Sequence, residues 1–315
     1  MKFKNSVPAL CVLAAIAVAL RGLAGDPRQL MEILLVFAMA QSWNLLCGFT
    51  GLLSFGHQAF VGLGAYALFM CTDLLGVSPY WGLGASVAFA VAAALVMALL
   101  LQRMRDAYFS IGIWVLADSV RLLVGQWQLA GGSQGLVLNV PAGFDASSLP
   151  ALTLWLAGGL AVFTFGGLFW LLRTKVGLAL TAIRDNDRGA ASAGIATRHN
   201  RLLAFVLSAA VCGLAGGIYY LSVLYVDPAG AFDLDWQIRM LFIVIVGGLG
   251  TLEGPILGTV LYYVLRAAFR GNGTWFAICE GCVAAAVMFI APQGLWGLIR
   301  NRTGWRVFPI EWATR

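Results

Sequence analysis

What most constrains this chain is the succession of apolar stretches that fills it almost end to end. They occupy Val7–Leu20, Leu30–Cys47, Gln58–Leu75, Tyr80–Leu101, Tyr108–Gln128, Ala151–Leu172, Leu202–Leu221, Gln237–Gly250, Pro255–Phe269 and Trp275–Ile299. A helix that crosses a bilayer needs roughly 20 mostly apolar residues, and tilted or half-crossing pieces are shorter. The spacing predicts an all-α polytopic membrane protein of about ten helices, the eighth and ninth short, in one domain over residues 1–315. Composition agrees: 61% of residues are hydrophobic and only 11% charged, where a soluble chain carries about 25% charge. So little polar surface excludes a cytosolic enzyme, a nucleic-acid binder and a disordered regulator.

The scarce charges then set the expected topology. Cytoplasmic loops collect Lys and Arg. With the N-terminus inside and ten crossings, the cytoplasmic side holds Lys2, Lys4, Arg103, Arg105, Arg173, Lys175, Arg184, Arg188, Arg198, Arg201, Arg300, Arg302, Arg306 and Arg315, which is 14 of the 20 basic residues. The external loops 129–150 and 223–236 contain no Lys or Arg and carry Asp145, Asp227, Asp233 and Asp235. One long helix over Gln237–Phe269 would put the C-terminal Arg cluster outside, so ten crossings, N-in and C-in, fit better. Two full crossings or a re-entrant pair there both remain open. Residues 1–24 have the form of a signal peptide and read as a retained first helix, with cleavage the alternative. Trp81, Trp127, Trp236, Trp275, Trp296 and Trp305 fall near block ends, where amphipathic rings anchor at the headgroups.

Three segments depart from plain apolar helix. Arg173–Arg201 is the long polar loop on the basic side. In it, Leu178–Ala193 reads as one short helix, separated from the sixth span by Gly177 and ended by Gly194 in the left-handed conformation. Ile183, Ala190 and Ala191 give it a small face, with Arg184, Asp185, Asp187 and Arg188 elsewhere; it is a docking surface or a solvated connector. Asn44–Tyr66 interrupts its apolar pattern with glycines 48, 51, 56, 62 and 64 and with Asn44, Ser54, His57 and Gln58. Irregular backbone at membrane depth survives only when buried in protein or lining a cavity, so this segment reads as a substrate path or as close helix packing. Gly250, Gly254 and Gly258 lie four apart, a small-residue ladder for helix packing.

Ionisable residues inside spans are costly unless paired or wet. Asp118 and Arg121, three apart, share a helix face and can pair, structurally or in a cavity. Glu32, Arg239 and Glu280 sit near the external ends of their blocks. His57 and His199 lack a catalytic constellation. The six cysteines, including Cys11, Cys47, Cys71 and Cys212 in apolar runs, suit packing rather than a disulfide framework. Cys279 and Cys282 form a C-x-x-C without a second ligand pair, so no metal or cofactor is expected. No P-loop signature occurs, so ATP is not bound that way.

At these segments the chain resembles the LivM-type permease subunit of branched-chain amino-acid ABC importers. The resemblance rests on WNLLCGFTGLLSFGHQAFVGLGAY (43–66), AYFSIGIWVLADSVRLL (107–123), GGSQGLVLNVP (131–141), GLALTAIRDNDRGAASAGI (177–195), LLAFVLSAAVCGLAGGIY (202–219) and IVIVGGLGTLEGPILG (243–258). It implies a type II-like importer permease fold in the bacterial inner membrane. It also implies a second, homologous permease, two cytoplasmic ATPase subunits, an external solute-binding protein and a hydrophobic amino acid as cargo. The resemblance makes the 177–195 loop the coupling helix, with Ala182, Ile183, Arg184, Asp185, Asn186, Ala190, Ala191 and Gly194 matching, and Asp187 inside the same surface. Gly48, Gly51, Ser54, Gly56 and His57 match the segment beside the pathway, where Asn44, Asp118 and Arg121 join them as candidates. Two places depart: Ile113–Trp114 stands where Thr-Leu is commoner, and Asp187–Gly189 lowers helix propensity. Urea, short amides or another small solute are alternative cargoes. An ion-coupled secondary transporter is the alternative of another class; it calls for paired mid-membrane acids, and the chain offers one Asp–Arg pair.

Overall fold

The computed structural model describes residues 26–104, 106–138 and 148–303. The first apolar block, residues 1–24 with Lys2, Lys4 and Cys11, and also Arg105, Asp145, Trp305, Arg306 and Arg315, lie outside the described residues. In chain order the helices begin with α1 (Pro27–Thr50), α2 (His57–Leu75), α3 (Pro79–Leu101) and α4 (Asp106–Gln126). Strand β1 (Leu136–Val137) precedes α5 (Leu149–Leu172), α6 (Lys175–Asp185), α7 (Asp187–Ser192) and α8 (Thr197–Val223). Strand β2 (Tyr225–Val226) leads into α9 (Pro228–Ala231), α10 (Leu234–Gly247), α11 (Gly254–Ala268), α12 (Gly273–Ile290) and α13 (Gly294–Thr303).

Helix α1 is the axis. Asp26 caps its start by accepting the Arg28 amide at 3.1 Å, and Pro27 occupies a first-turn position that needs no N–H. Its sequence is apolar on every side, which demands neighbours on every side. Helices α5, α8, α10 and α11 supply them, and Ile33, Leu35, Val36, Trp43 and Leu46 are fully inaccessible. Helices α2, α3 and α8 form an adjoining packed group, with α4 at its edge. Among the described residues, six helices are long and apolar enough to cross a membrane: α1, α3, α4, α5, α8 and α12.

The chain alternates between two ends. Arg173, Lys175, Arg184, Arg188, Arg198 and Arg201 gather at one, where Arg198 also donates to Gln102 beside Arg103; this is the basic end. Asp227, Asp233 and Asp235 lie at the other, the acidic end, where β1 and β2 pair antiparallel through Leu136–Val226 and Val137–Tyr225.

Several expectations change. The last block is two helices, because Pro292 has no N–H to continue α12 and restricts Ala291 before it. Helices α10 and α11 have 14 and 15 residues, short of a bilayer core about 30 Å thick. They form an antiparallel pair whose 248–253 turn reaches the basic end and whose outer ends return to Glu32. Gly250 is in that turn at φ 72°, outside the helix. Only Gly254 and Gly258 pack α11 on α10: a Cβ on Gly258 would sit 1.9 Å from the Ile243 carbonyl oxygen. Trp81, Trp127 and Trp275 are exposed, as anchors would be, but Trp236 and Trp296 are buried. Trp236 instead donates to the Gly230 carbonyl at 3.2 Å. Cys47, Cys71, Cys212, Cys279 and Cys282 are free thiols.

Candidate functional site

The polar loop at the basic end folds as two helices rather than one. Asn186 breaks it at φ −159° and ψ 98°, ending α6 and capping α7 by accepting the Gly189 amide at 2.9 Å. An Asn followed by Asp is a helix-start signal, so the break was visible in principle. Thr174, in extended conformation, separates α5 from α6; Gly177 lies within α6, where a Cβ would meet the Leu172 Cα at 2.4 Å. Gly194 does terminate the segment left-handed, at φ 82°. The candidate coupling residues divide between two faces. Ile183 and Ala190 are buried against the bundle, and Ala182 and Asp187 are half-buried. Arg184, Asp185, Asn186, Ala191 and Gly194 are exposed. Asp187 holds Arg201 of α8 at 3.2 Å.

Of the glycine-rich 44–66 segment only residues 51–56, between α1 and α2, are unwound; residues 44–50 and 57–66 are helical. The stretch runs back beside α1, with Ser54 and Gly56 buried and Gly51 exposed. Trp43 Nε1 donates to the Ser54 carbonyl at 2.8 Å, and Ser110 Oγ to the Leu53 carbonyl at 2.7 Å. The His57 amide donates to Gln237 Oε1 at 3.1 Å. The His57 ring is wholly buried, Nδ1 lying 3.0 Å from Ser54 Oγ and Nε2 lying 2.7 Å from Ser208 Oγ. Gly56 admits the Ile113 backbone and side chain, since a Cβ there would be 2.6 Å from both. Ser54, Gly56 and His57 are therefore brought together as a packed polar joint.

Asn44 and Gly48 belong to a different cluster, against the α10–α11 turn. Asn44 Oδ1 accepts the Gly250 amide at 2.9 Å and its Nδ2 donates to the Thr251 carbonyl at 2.7 Å. One turn earlier, Gln41 Nε2 donates to the Leu252 carbonyl at 2.8 Å. A Cβ on Gly48 would stand 2.5 Å from the Gly250 amide nitrogen, so the backbones meet only because both residues lack one. Arg184 completes the cluster, donating to the Gly48 carbonyl at 3.1 Å.

Asp118 and Arg121 do pair, at 2.8 Å, and both stay half-exposed, with side chains 52% and 39% accessible. They sit toward the middle of α4, on a face shared with Trp114, which is 49% exposed. Ile113, the other departing residue, is buried. At the acidic end, Glu32 binds both Arg239 at 2.6 Å and Arg266 at 2.5 Å, and Arg239 also holds Asp235 at 2.5 Å. Arg266 escaped the sequence reading because it lies at the end of an apolar block without a nearby acid in sequence. Glu280 is buried, with Oε1 unpartnered. Among the described residues no three His, Cys, Asp or Glu gather as metal ligands.

Comparisons with known proteins place the chain among membrane permeases. The chain is 26% identical over 284 residues to the high-affinity branched-chain amino acid transport system permease protein LivM of Escherichia coli (strain K12), covering 82% of this chain and 66% of that protein. The chain spans 66% of the length of the LivM relatives it matches. It is 25% identical over 270 residues to a probable branched-chain amino acid transport permease protein LivH of Methanocaldococcus jannaschii, covering 79% of this chain and 84% of that one. An autoinducer 2 import system permease protein LsrC of Yersinia pseudotuberculosis is 27% identical over 195 residues, 57% of this chain and 55% of that protein. No solved structure matches significantly. Residues 29–292 match the family described as branched-chain amino acid transport system / permease component. The chain, with its buried central helix, its short paired helices and its charged loop, belongs to that permease family.

Proposed function

We propose that this chain is the membrane permease subunit of an ATP-driven importer in the bacterial inner membrane, moving branched-chain or other hydrophobic amino acids. The observation that carries the reading is the Asp118–Arg121 pair, half-exposed on a spanning helix. An ion pair facing lipid at that depth is too costly, so this face looks onto water or another protein. We place the solute path there, along Trp114, Asp118 and Arg121, closed on its far side by a second, homologous permease. One charge of each sign and an apolar ring suit a zwitterion with a greasy side chain. Asn44, Gly48, Gly51, Ser54, Gly56 and His57 support the path from within the subunit, since their polar atoms are engaged in packing.

In this reading the topology is ten crossings, N-in and C-in, counting the first apolar block and α10 and α11, with the basic end cytoplasmic. Helices α6 and α7 meet one of two ATPase subunits through Asp185, Asn186, Ala191 and Gly194. ATPase closure pushes them and switches the paired permeases between inward- and outward-facing states, while a solute-binding protein delivers cargo at the acidic end. Each bound ligand must favour one state by its own contacts. The LsrC relatives favour a second reading of cargo only: the same machine carrying another small polar solute.

Uptake of labelled leucine into liposomes holding the full complex tests both. Asp118→Asn with Arg121→Gln should lower uptake at least about tenfold while the subunits still co-purify, one charged contact being worth roughly that factor. Unchanged uptake in that variant would remove the path from this face. Uptake that needs no ATPase would overturn the ATP-driven reading, and a binding protein that ignores leucine would shift the cargo.

A further inference from the structure

Arg184 lies on the segment expected to dock an ATPase; its Nε and Nη2 pair with the neighbouring Asp185 at 2.9 Å, while its remaining nitrogen points back toward α1. Nη1 reaches the Gly48 carbonyl at 3.1 Å. The last four carbonyls of a helix have no intrahelical partner, and Gly48 is in the last turn of α1. Gly51 and Leu52 satisfy Cys47 and Leu46 through their amides at 3.1 and 3.3 Å. The Gly48 carbonyl is left to Arg184, whose positive charge also suits the negative end of the α1 dipole. The same guanidinium lies 3.0 Å from where a Cβ on Gly250 would stand, and its stem covers Gly51 at 3.5 Å from the equivalent point.

Three segments thus converge on one side chain: α6, the last turn of α1 and the α10–α11 turn. The latter two are locked to each other by the three hydrogen bonds from Asn44 and Gln41. The junction of α12 and α13 is locked on as well, since a Cβ on Gly294 would meet the Gly248 Cα at 2.4 Å. Whatever moves Gly48 therefore moves the turn with it. We propose that Arg184 is a positioning residue that carries displacement of α6 and α7 into α1 and the α10–α11 turn, and that it does not serve as an ATPase contact. The proposal deepens the importer reading and rests on it.

The test uses the full complex, reconstituted in liposomes, with Arg184→Gln and Arg184→Lys. The readout is solute moved per ATP hydrolysed, a ratio that partial misfolding leaves unchanged. The Gln variant should hold its ATPase subunits in normal stoichiometry and hydrolyse ATP. Its transport ratio should fall at least about tenfold, the scale of one charge-assisted hydrogen bond. Lys, which still donates to a carbonyl, should recover part of that ratio. Loss of the ATPase subunits from the Gln variant overturns the proposal in favour of direct contact. An unchanged ratio, or a Lys variant no better than Gln, overturns it as well. A wild-type chain that binds no ATPase overturns both this proposal and the importer reading.

Discussion

The two ends of α1 are fastened in opposite ways. At the acidic end Glu32 is held by charge, in a cluster with Arg239, Arg266 and Asp235. At the basic end Gln41 and Asn44 are held by hydrogen bonds to the backbone of the α10–α11 turn, and the Gly48 carbonyl by Arg184, the one charged member. A part-buried charge cluster is costly to break, because each lost partner strands a charge with little water to replace it. A latch onto backbone specifies geometry closely, but its members apart from Arg184 are neutral and separate for less. The molecule is therefore anchored at one end of its axis and adjustable at the other, the end that carries the proposed docking segment.

That contrast can be broken by measurement. Glu32→Ala should give the largest loss, about 3 kcal/mol, the low end for a buried pair because Arg266 is partly solvated, since Arg266 loses its carboxylate and Arg239 one of two; the melting temperature of the purified protein reads it. Asn44→Ala should cost less, about 2–3 kcal/mol, leaving the Gly250 amide and the Thr251 carbonyl unpaired. If Asn44→Ala melts lower than Glu32→Ala, the assignment of anchor and adjustable end is reversed. The smallest effect belongs to Asp187→Asn, under about 1 kcal/mol, because its pair with Arg201 is part-exposed.

Much of this was legible in the sequence where one residue sufficed to decide. Gly194 ends its helix left-handed, Asp118 and Arg121 pair three apart, and the glycine-rich 51–56 stretch is unwound, each for a local reason. Pro292 and the Asn186–Asp187 step carried local signals for breaks that apolar block lengths hid. The remainder depended on residues far apart in the chain. Nothing near Arg266 announces Glu32, 234 residues away. Gly250 follows the same four-residue spacing as Gly254 and Gly258, yet it serves a turn, because its neighbour is Gly48 of α1. Arg184 reads as surface charge until the end of α1 is placed beneath it.

The unwound stretch between α1 and α2 has a consequence for cooperativity. Its first amides bond back to α1, but the Leu53 and Ser54 carbonyls and the His57 amide borrow partners from Ser110 on α4, Trp43 on α1 and Gln237 on α10, while the His57 ring leans on Ser208 of α8. Drawing any one of these helices away would leave a polar group bare in an apolar interior, at a cost comparable to a lost hydrogen bond. Four helices distant in sequence are thereby joined into one unit of opening, and local fraying of any of them is suppressed.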